Sequence, residues 1–117
     1  MKKILIVEDD PSTLNLLRSF LSEKGLDVQT AVDGLDALEK VRKSTPDLVL
    51  LDVILPKLDG YGFLRELKKD AQLRGLPVVV LTAREMMRDV FVQEGVRDFI
   101  TKPYNPEELY KIVGKYL

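Results

Sequence analysis

The sequence predicts an α/β protein: a doubly wound, five-stranded parallel sheet with helices on both faces. Three observations carry this expectation. Extended apolar segments alternate with helix-period segments five times along 117 residues, the pattern of repeated strand–helix units. The runs Ile4–Val7, Leu48–Leu51 and Val78–Leu81 are apolar without alternation, as in strands covered on both faces. Capping residues, glycines and prolines stand at the joints between segments. The length suits one domain, residues 1–117, and no linker, repeat or low-complexity stretch divides it.

The elements follow in order. "KILIVE" opens the chain as a buried strand over residues 2–7, with Glu8 at its edge. Asp10 is placed to cap a helix that begins at Pro11. In that helix Leu14, Leu17, Phe20 and Leu21 share a face, and Gly25 ends it. "LDVQTA" (26–31) alternates, which predicts a half-exposed strand near a sheet edge. Asp33–Gly34 starts a second helix, expected to turn Leu35, Leu38 and Val41 inward and to stop at Ser44–Thr45–Pro46. The segment "DLVLLDVILPKLDGYG" (47–62) holds the third strand, then Asp52, then a Pro/Asp/Gly turn. Gly60–Asp70 reads as a helix with Phe63, Leu64 and Leu67 inward. "PVVVLTA" (77–83) is the fourth strand, and residues 85–94 form a short helix stopped by Gly95. "VRDFIT" (96–101) is the fifth strand. Asn105–Pro106–Glu107–Glu108 caps a last helix striped by Leu109, Ile112, Val113 and Tyr116.

Composition excludes several kinds of function. Apolar residues make up 45%, charged residues 32%, and the net charge is -1, so no basic excess points to nucleic acid. No apolar stretch is long enough to span a bilayer, and the run after Lys2–Lys3 is too short for a signal peptide. There is no cysteine, hence no disulfide, thiol chemistry or zinc–thiolate site. There is no histidine, hence no Ser–His dyad and no residue to carry a phosphohistidine. Carboxylates, hydroxyls and lysines remain, and the cytoplasm is the expected compartment.

In open parallel sheets, ligands bind beyond the carboxyl ends of the strands, where the strand order reverses. Those ends carry Glu8–Asp9–Asp10, Asp52, Thr82–Ala83 and Lys102–Pro103. Singly, each has an ordinary explanation: an Asp caps a helix, a Thr favours strands, a Lys is solvated. But Asp10 and Asp59 already account for the caps, which leaves Glu8, Asp9 and Asp52 without a structural task. Carboxylates within about 5 Å of one another repel by a few kcal/mol per pair at an effective dielectric near 20. A hard cation makes such a cluster tolerable, and all-oxygen ligation by few carboxylates favours Mg2+. Lys102 and Thr82 could then serve phosphate oxygens, and Asp52 held against the metal is a reasonable nucleophile for phosphorus. By its chemistry this is a phosphoryl-accepting site.

With these residues in view, the chain resembles the receiver domain of two-component response regulators over essentially its whole length. The segments that carry the resemblance are "ILIVEDD" (4–10), "DLVLLDVILPKLDG" (47–60), "VVLTA" (79–83) and "ITKP" (100–103), with "DGLDAL" (33–38) as lesser support. The resemblance implies the flavodoxin-like strand order 2-1-3-4-5. It implies that Asp52 accepts a phosphoryl group from a phosphohistidine on a sensor histidine kinase or a histidine phosphotransfer protein. It implies Mg2+ held directly by Asp9, Asp52 and the backbone carbonyl of Ile54, with Glu8 acting through water. Thr82 matches the switch hydroxyl, Lys102 the lysine of the site, and Phe99 the switch aromatic; the Lys102–Pro103 bond would be cis. Such a domain is a phosphoacceptor that assists its own phosphotransfer and dephosphorylation, not an enzyme. It would signal through helix 4, strand 5 and helix 5, a surface carrying Met86, Met87, Arg88, Arg97 and Tyr104. Its output would pass to a downstream protein or a covalently linked output domain, with no direct contact to nucleic acid or membrane.

The sequence departs from the family in three places. The interval from Thr82 to Lys102 is a couple of residues short, Arg97 replaces an acid that many winged-helix regulators use in dimer pairing, and Ile112 replaces a basic one. These bear on output, not on phosphorylation. Haloacid-dehalogenase-type phosphatases use similar residues but need a second Asp two positions after the nucleophile, where this chain has Ile54. A pseudo-receiver would lack one of the acids, the Thr or the Lys, and all are present. The fifth helix ends the sequence, which fits either a free-standing regulator or a receiver cut from a longer one.

Overall fold

The structure is a computed structural model that describes residues 1–82 and 88–117, Thr82 by its backbone only. Its elements are β1 (Lys3–Val7), α1 (Pro11–Glu23), β2 (Asp27–Ala31), α2 (Gly34–Lys43), β3 (Leu48–Asp52), α3 (Gly60–Lys69), β4 (Val78–Thr82), α4 (Arg88–Gln93), β5 (Asp98–Thr101) and α5 (Pro106–Gly114). All pairings are parallel and the order is β2-β1-β3-β4-β5. The chain therefore winds one way from β1 to β2 and the other way from β3 to β5. That reversal opens a crevice between the ends of β1 and β3.

Alternation along the strands sorts the core into two layers. Leu5, Val7, Val49, Leu51, Val78 and Val80 pack with Ala37, Leu38 and Val41 of α2, Phe63, Leu64 and Leu67 of α3, and Phe91 of α4. Ile4, Ile6, Leu48, Leu50, Val79 and Leu81 pack on the opposite face with Leu17 and Leu21 of α1 and Leu109 and Val113 of α5. Central strands β1, β3 and β4 thus bury both faces, which is why their sequences show no alternation. Strand β2, at the edge, is half-buried until Ala31. The caps act as the sequence suggests: Asp10 accepts from Thr13 N, Asp33 from Asp36 N, Asp59 from Gly62 N, and Asn105 from Glu107 and Glu108 N. No helix among the described residues is long and apolar enough to cross a membrane.

The structure corrects one inward residue and several boundaries. Leu35 is 53% exposed, not turned to the core. The buried face of α2 is made by Gly34, Ala37, Leu38 and Val41, and at 3.6 residues per turn Leu35 lies about 110° from its centre. Strand β5 begins at Asp98, two residues later than expected, after buried Val96 and exposed Arg97. The last residue assigned to α3 is Lys69, with Asp70 as its cap. Residues 83–87, including the expected start of helix 4 and Met86 and Met87, lie outside the described residues.

Candidate functional site

Register brings the strand ends level: Val7 is opposite Leu51, Asp52 opposite Leu81, and Thr82 opposite Thr101. The next residue after β1 is Glu8, which is only 1% exposed and whose N–H donates to the Ala31 carbonyl at 3.0 Å. Glu8 Oε1 accepts from the Asp10 N–H at 3.1 Å, while Asp10 itself turns to its capping task at the head of α1. Asp9, between them, is exposed. Asp52 closes β3, 7% exposed, and its Oδ1 accepts from the Ile54 N–H at 3.4 Å. One carboxylate oxygen from each of Glu8, Asp9 and Asp52 lies within 4.8 Å of the others.

Lys102 supplies the positive charge. Its Nζ is 3.0 Å from Glu8 Oε2 and 3.0 Å from Asp52 Oδ2. Burial works against its charge, but the hydrogen bonds to the two carboxylates outweigh it and raise the ammonium pKa. Burial also pushes the Glu8 carboxyl up, more than the bond from Lys102 pulls it down. The Lys102–Pro103 peptide bond is cis. Tyr104, next along, is partly buried against the α1/α5 layer. Its phenol is pushed up to about 12, by burial first and then by the charge of Glu8.

The loop after Asp52 is pinned from two sides. Gly60 N donates to the Val53 carbonyl at 2.9 Å, and Gly34 N, at the head of α2, donates to the Leu58 carbonyl at 3.0 Å. A Cβ on Gly34 would sit 2.1 Å from Leu58 O, and one on Gly60 2.5 Å from Asp52 O. Both positions require a residue without a side chain. The Ile54 side chain, 66% exposed, stands at the open mouth of this loop.

The structure thus gathers Glu8, Asp9, Asp52 and Lys102. Thr82 ends β4 beside them, with its side chain outside the described residues. Phe99 lies farther along, on β5, partly buried against the α2/α3/α4 layer. Lys102, expected to serve a phosphate oxygen, here bridges two acids. Arg88, expected only as part of the signalling surface, also meets the expected switch aromatic: its guanidinium lies 5.2 Å from the centroid of the Phe99 ring. Only its place near the start of a helix preceding an aromatic strand could have hinted at that contact. An acidic crevice at the β1/β3 reversal, faced by a lysine that follows β5, places the chain among doubly wound α/β proteins with a charged site at the carboxyl edge of the sheet.

The chain belongs to the response regulator receiver domain family, whose profile matches residues 4–114. It is 35% identical over 119 residues to protein PilH of Pseudomonas aeruginosa, covering 100% of this chain and 98% of that one. Other relatives, named as transcriptional regulators, are matched over about half their length or less. The structure superposes on the chemotaxis protein CheY4 of Vibrio cholerae with a TM-score of 0.93 at 30% identity, over 100% of this chain and 99% of that one. It is similar, with a TM-score of 0.90 at 32% identity over 98% and 96% of the chains, to the receiver domain of a Pseudomonas aeruginosa sensor histidine kinase determined with a magnesium ion coordinated in its active-site cleft. Receiver domains are regulatory phosphoacceptor modules of two-component signalling, bind Mg2+ in an acidic site, and meet histidine kinases and downstream targets.

Proposed function

We propose that residues 1–117 form one receiver domain, acting in the cytoplasm, in which Asp52 accepts a phosphoryl group from a phosphohistidine of a sensor kinase or phosphotransfer protein. The observation that carries this is the convergence of three carboxylate oxygens within 4.8 Å, with the Lys102 ammonium against two of the carboxylates. The donor set is all oxygen and suits Mg2+, with Asp9, Asp52 and the Ile54 carbonyl as direct ligands and Glu8 acting through water. When bound, Mg2+ neutralises the charge that builds on the transferring phosphoryl oxygens. An Asp52 carboxylate oxygen attacks phosphorus, the P–N bond breaks, and its electron pair leaves with the imidazole. Lys102 moves from Asp52 to a phosphoryl oxygen, and Thr82 donates to another. Phe99 then turns inward and alters the α4–β5–α5 surface, which a downstream protein or an attached output domain reads. Water attack on the same acyl phosphate, assisted by the same site, resets the domain.

The test is incubation with acetyl phosphate and Mg2+ followed by intact mass. One phosphoryl group is expected, lost when Mg2+ is omitted and absent from Asp52→Asn. Undiminished labelling of Asp52→Asn would overturn the assignment.

A further inference from the structure

Helix α4 is tied down differently at its two ends. At its first residue, the Arg88 guanidinium covers the Phe99 ring at 5.2 Å and Nη2 donates to Thr101 Oγ1 at 3.3 Å. Arg88 Nε is shielded from solvent and has no hydrogen-bond partner among the described residues. An N–H buried in that way forfeits its bond to water, so this end holds a guanidinium at a cost. Just past the other end, Glu94 Oε1 accepts from Arg65 at 2.8 Å and from the Tyr61 hydroxyl at 3.4 Å, both on α3. The Tyr61 ring meets Phe91 edge-on at 5.8 Å, and Phe91 is fully buried. The Glu94 end is therefore fastened to a second helix by an ion pair, a hydrogen bond and a core aromatic. Among the described residues, the Arg88 end is held by the Phe99 ring and the Thr101 hydroxyl of β5.

We propose that Arg88 is a positioning residue, a latch that holds the Phe99 ring in its unphosphorylated orientation, and that α4 responds to phosphorylation by pivoting about its Glu94 end. This rests on the proposed function, in which Phe99 is the switch aromatic. An inward turn of the ring removes the face on which the guanidinium lies, and Nε, which has no partner among the described residues, regains water. The first turn of α4 is released, while Arg65, Tyr61 and Phe91 keep the last turn in place. A cation over an aromatic face at a partly exposed site is worth about a two- to fivefold bias in such an equilibrium. Because ligand affinity and orientation are linked, removing the latch raises the affinity for a phosphoryl mimic by up to the same factor.

The experiment is NMR of the full chain with labelled phenylalanine rings and backbone amides, titrated with beryllofluoride in Mg2+. In the wild type, beryllofluoride should shift the amides of Asp9 and Asp52, the Phe99 ring and residues 88–90, and leave residues 91–95 nearly still. In Arg88→Ala without beryllofluoride, the Phe99 ring signals should lie part of the way along the line from the free to the bound wild-type positions. Beryllofluoride should bind that variant about two- to fivefold more tightly. Arg88→Lys, which keeps a cation but not the flat face, should fall between the two. Glu94→Gln should spread the beryllofluoride shifts into residues 91–95. Unchanged Phe99 signals and affinity in both Arg88 variants, with normal shifts at Asp9 and Asp52, would overturn the latch and leave the phosphoacceptor standing. Equal wild-type shifts at 88–90 and 91–95 would overturn the pivot. No shift at Asp9 and Asp52 in any of the proteins would overturn the proposed function itself.

Discussion

Lys102 Nζ stands 3.0 Å from Asp52 Oδ2, although fifty residues separate them in the chain, and the same ammonium lies 3.0 Å from Glu8 Oε2. A single cation thus offsets two of the three carboxylates, and at 28% side-chain exposure it is only partly screened by water. Removing it leaves two mostly buried acids facing each other. Lys102→Met is expected to cost the metal-free protein about 1–3 kcal/mol in urea unfolding. It should also gain more from Mg2+ than the wild type does, because the metal then takes over the role of the missing charge. A Lys102→Met protein as stable as the wild type without metal would count against this balance.

The same cluster makes stability depend on metal concentration. Mg2+ bound only by the folded state should add about 2.7 kcal/mol at a concentration one hundred times its Kd. Asp9→Ala should remove most of the rise in Tm. It should not destabilise the metal-free form, since Asp9 is exposed and its loss relieves repulsion. Thermal melts of both proteins across a Mg2+ series decide the matter; an equal gain in Asp9→Ala excludes Asp9 as a ligand.

Gly34 couples α2 to the loop that follows Asp52. With a Cβ 2.1 Å from Leu58 O, Gly34→Ala must displace backbone, and a loss of about 1–3 kcal/mol is expected. Phosphorylation by acetyl phosphate should slow as well, because the moved loop carries Ile54 and abuts Asp52. Gly75→Ala, where a Cβ meets nothing within 4 Å, should stay within about 0.5 kcal/mol of the wild type. Equal behaviour of the two variants would show that the α2 contact does not position the loop.

The link between the start of β5 and the C-terminal end of the chain predicts a pH dependence at both extremes. The Tyr116 hydroxyl donates to Asp98, and Lys115 lies 3.2 Å from its other oxygen. The bond from Tyr116 lowers the Asp98 pKa below its ordinary 3.8, so its contribution is present above that value and is lost as pH falls through the folded pKa. Burial and the same bond push Tyr116 up to about 12 from 10.0, so its contribution is present below pH 10 and is lost as pH rises toward 12. The stability difference between wild type and Tyr116→Phe should therefore be flat near neutrality and shrink at both ends. Unfolding measured from pH 3 to 11 checks this; a difference constant down to pH 3 would remove the acid-side link.

Much of the architecture was legible in the sequence because the signals are local. Unbroken runs at 4–7, 48–51 and 78–81 mark strands with two buried faces, and caps at Asp10, Asp33, Asp59 and Asn105 mark helix starts. Leu35 was misplaced because an i, i+3 series drifts by about 60° per step, and only the position of α2 against the sheet says where the buried face is centred. Likewise, the ladder between β5 and β4 begins only at Asp98, opposite Val79, and the β propensity of "VRDFIT" does not reveal that register.

By itself, the sequence determined which chemical groups arrive at the carboxyl edge of the sheet: Glu8, Asp9, Asp52, Thr82 and Lys102, each at the end of a strand that its own residues define. It could not determine which of them touch. Lys102 reaches Glu8 across 94 residues of chain, and Arg88 meets Phe99 only because α4 packs over β5. Strand ends are set by backbone pairing and local apolar pattern, which are short-range. Contacts between side chains of different strands and helices depend on strand order, register and helix placement, and only the assembled tertiary structure supplies those.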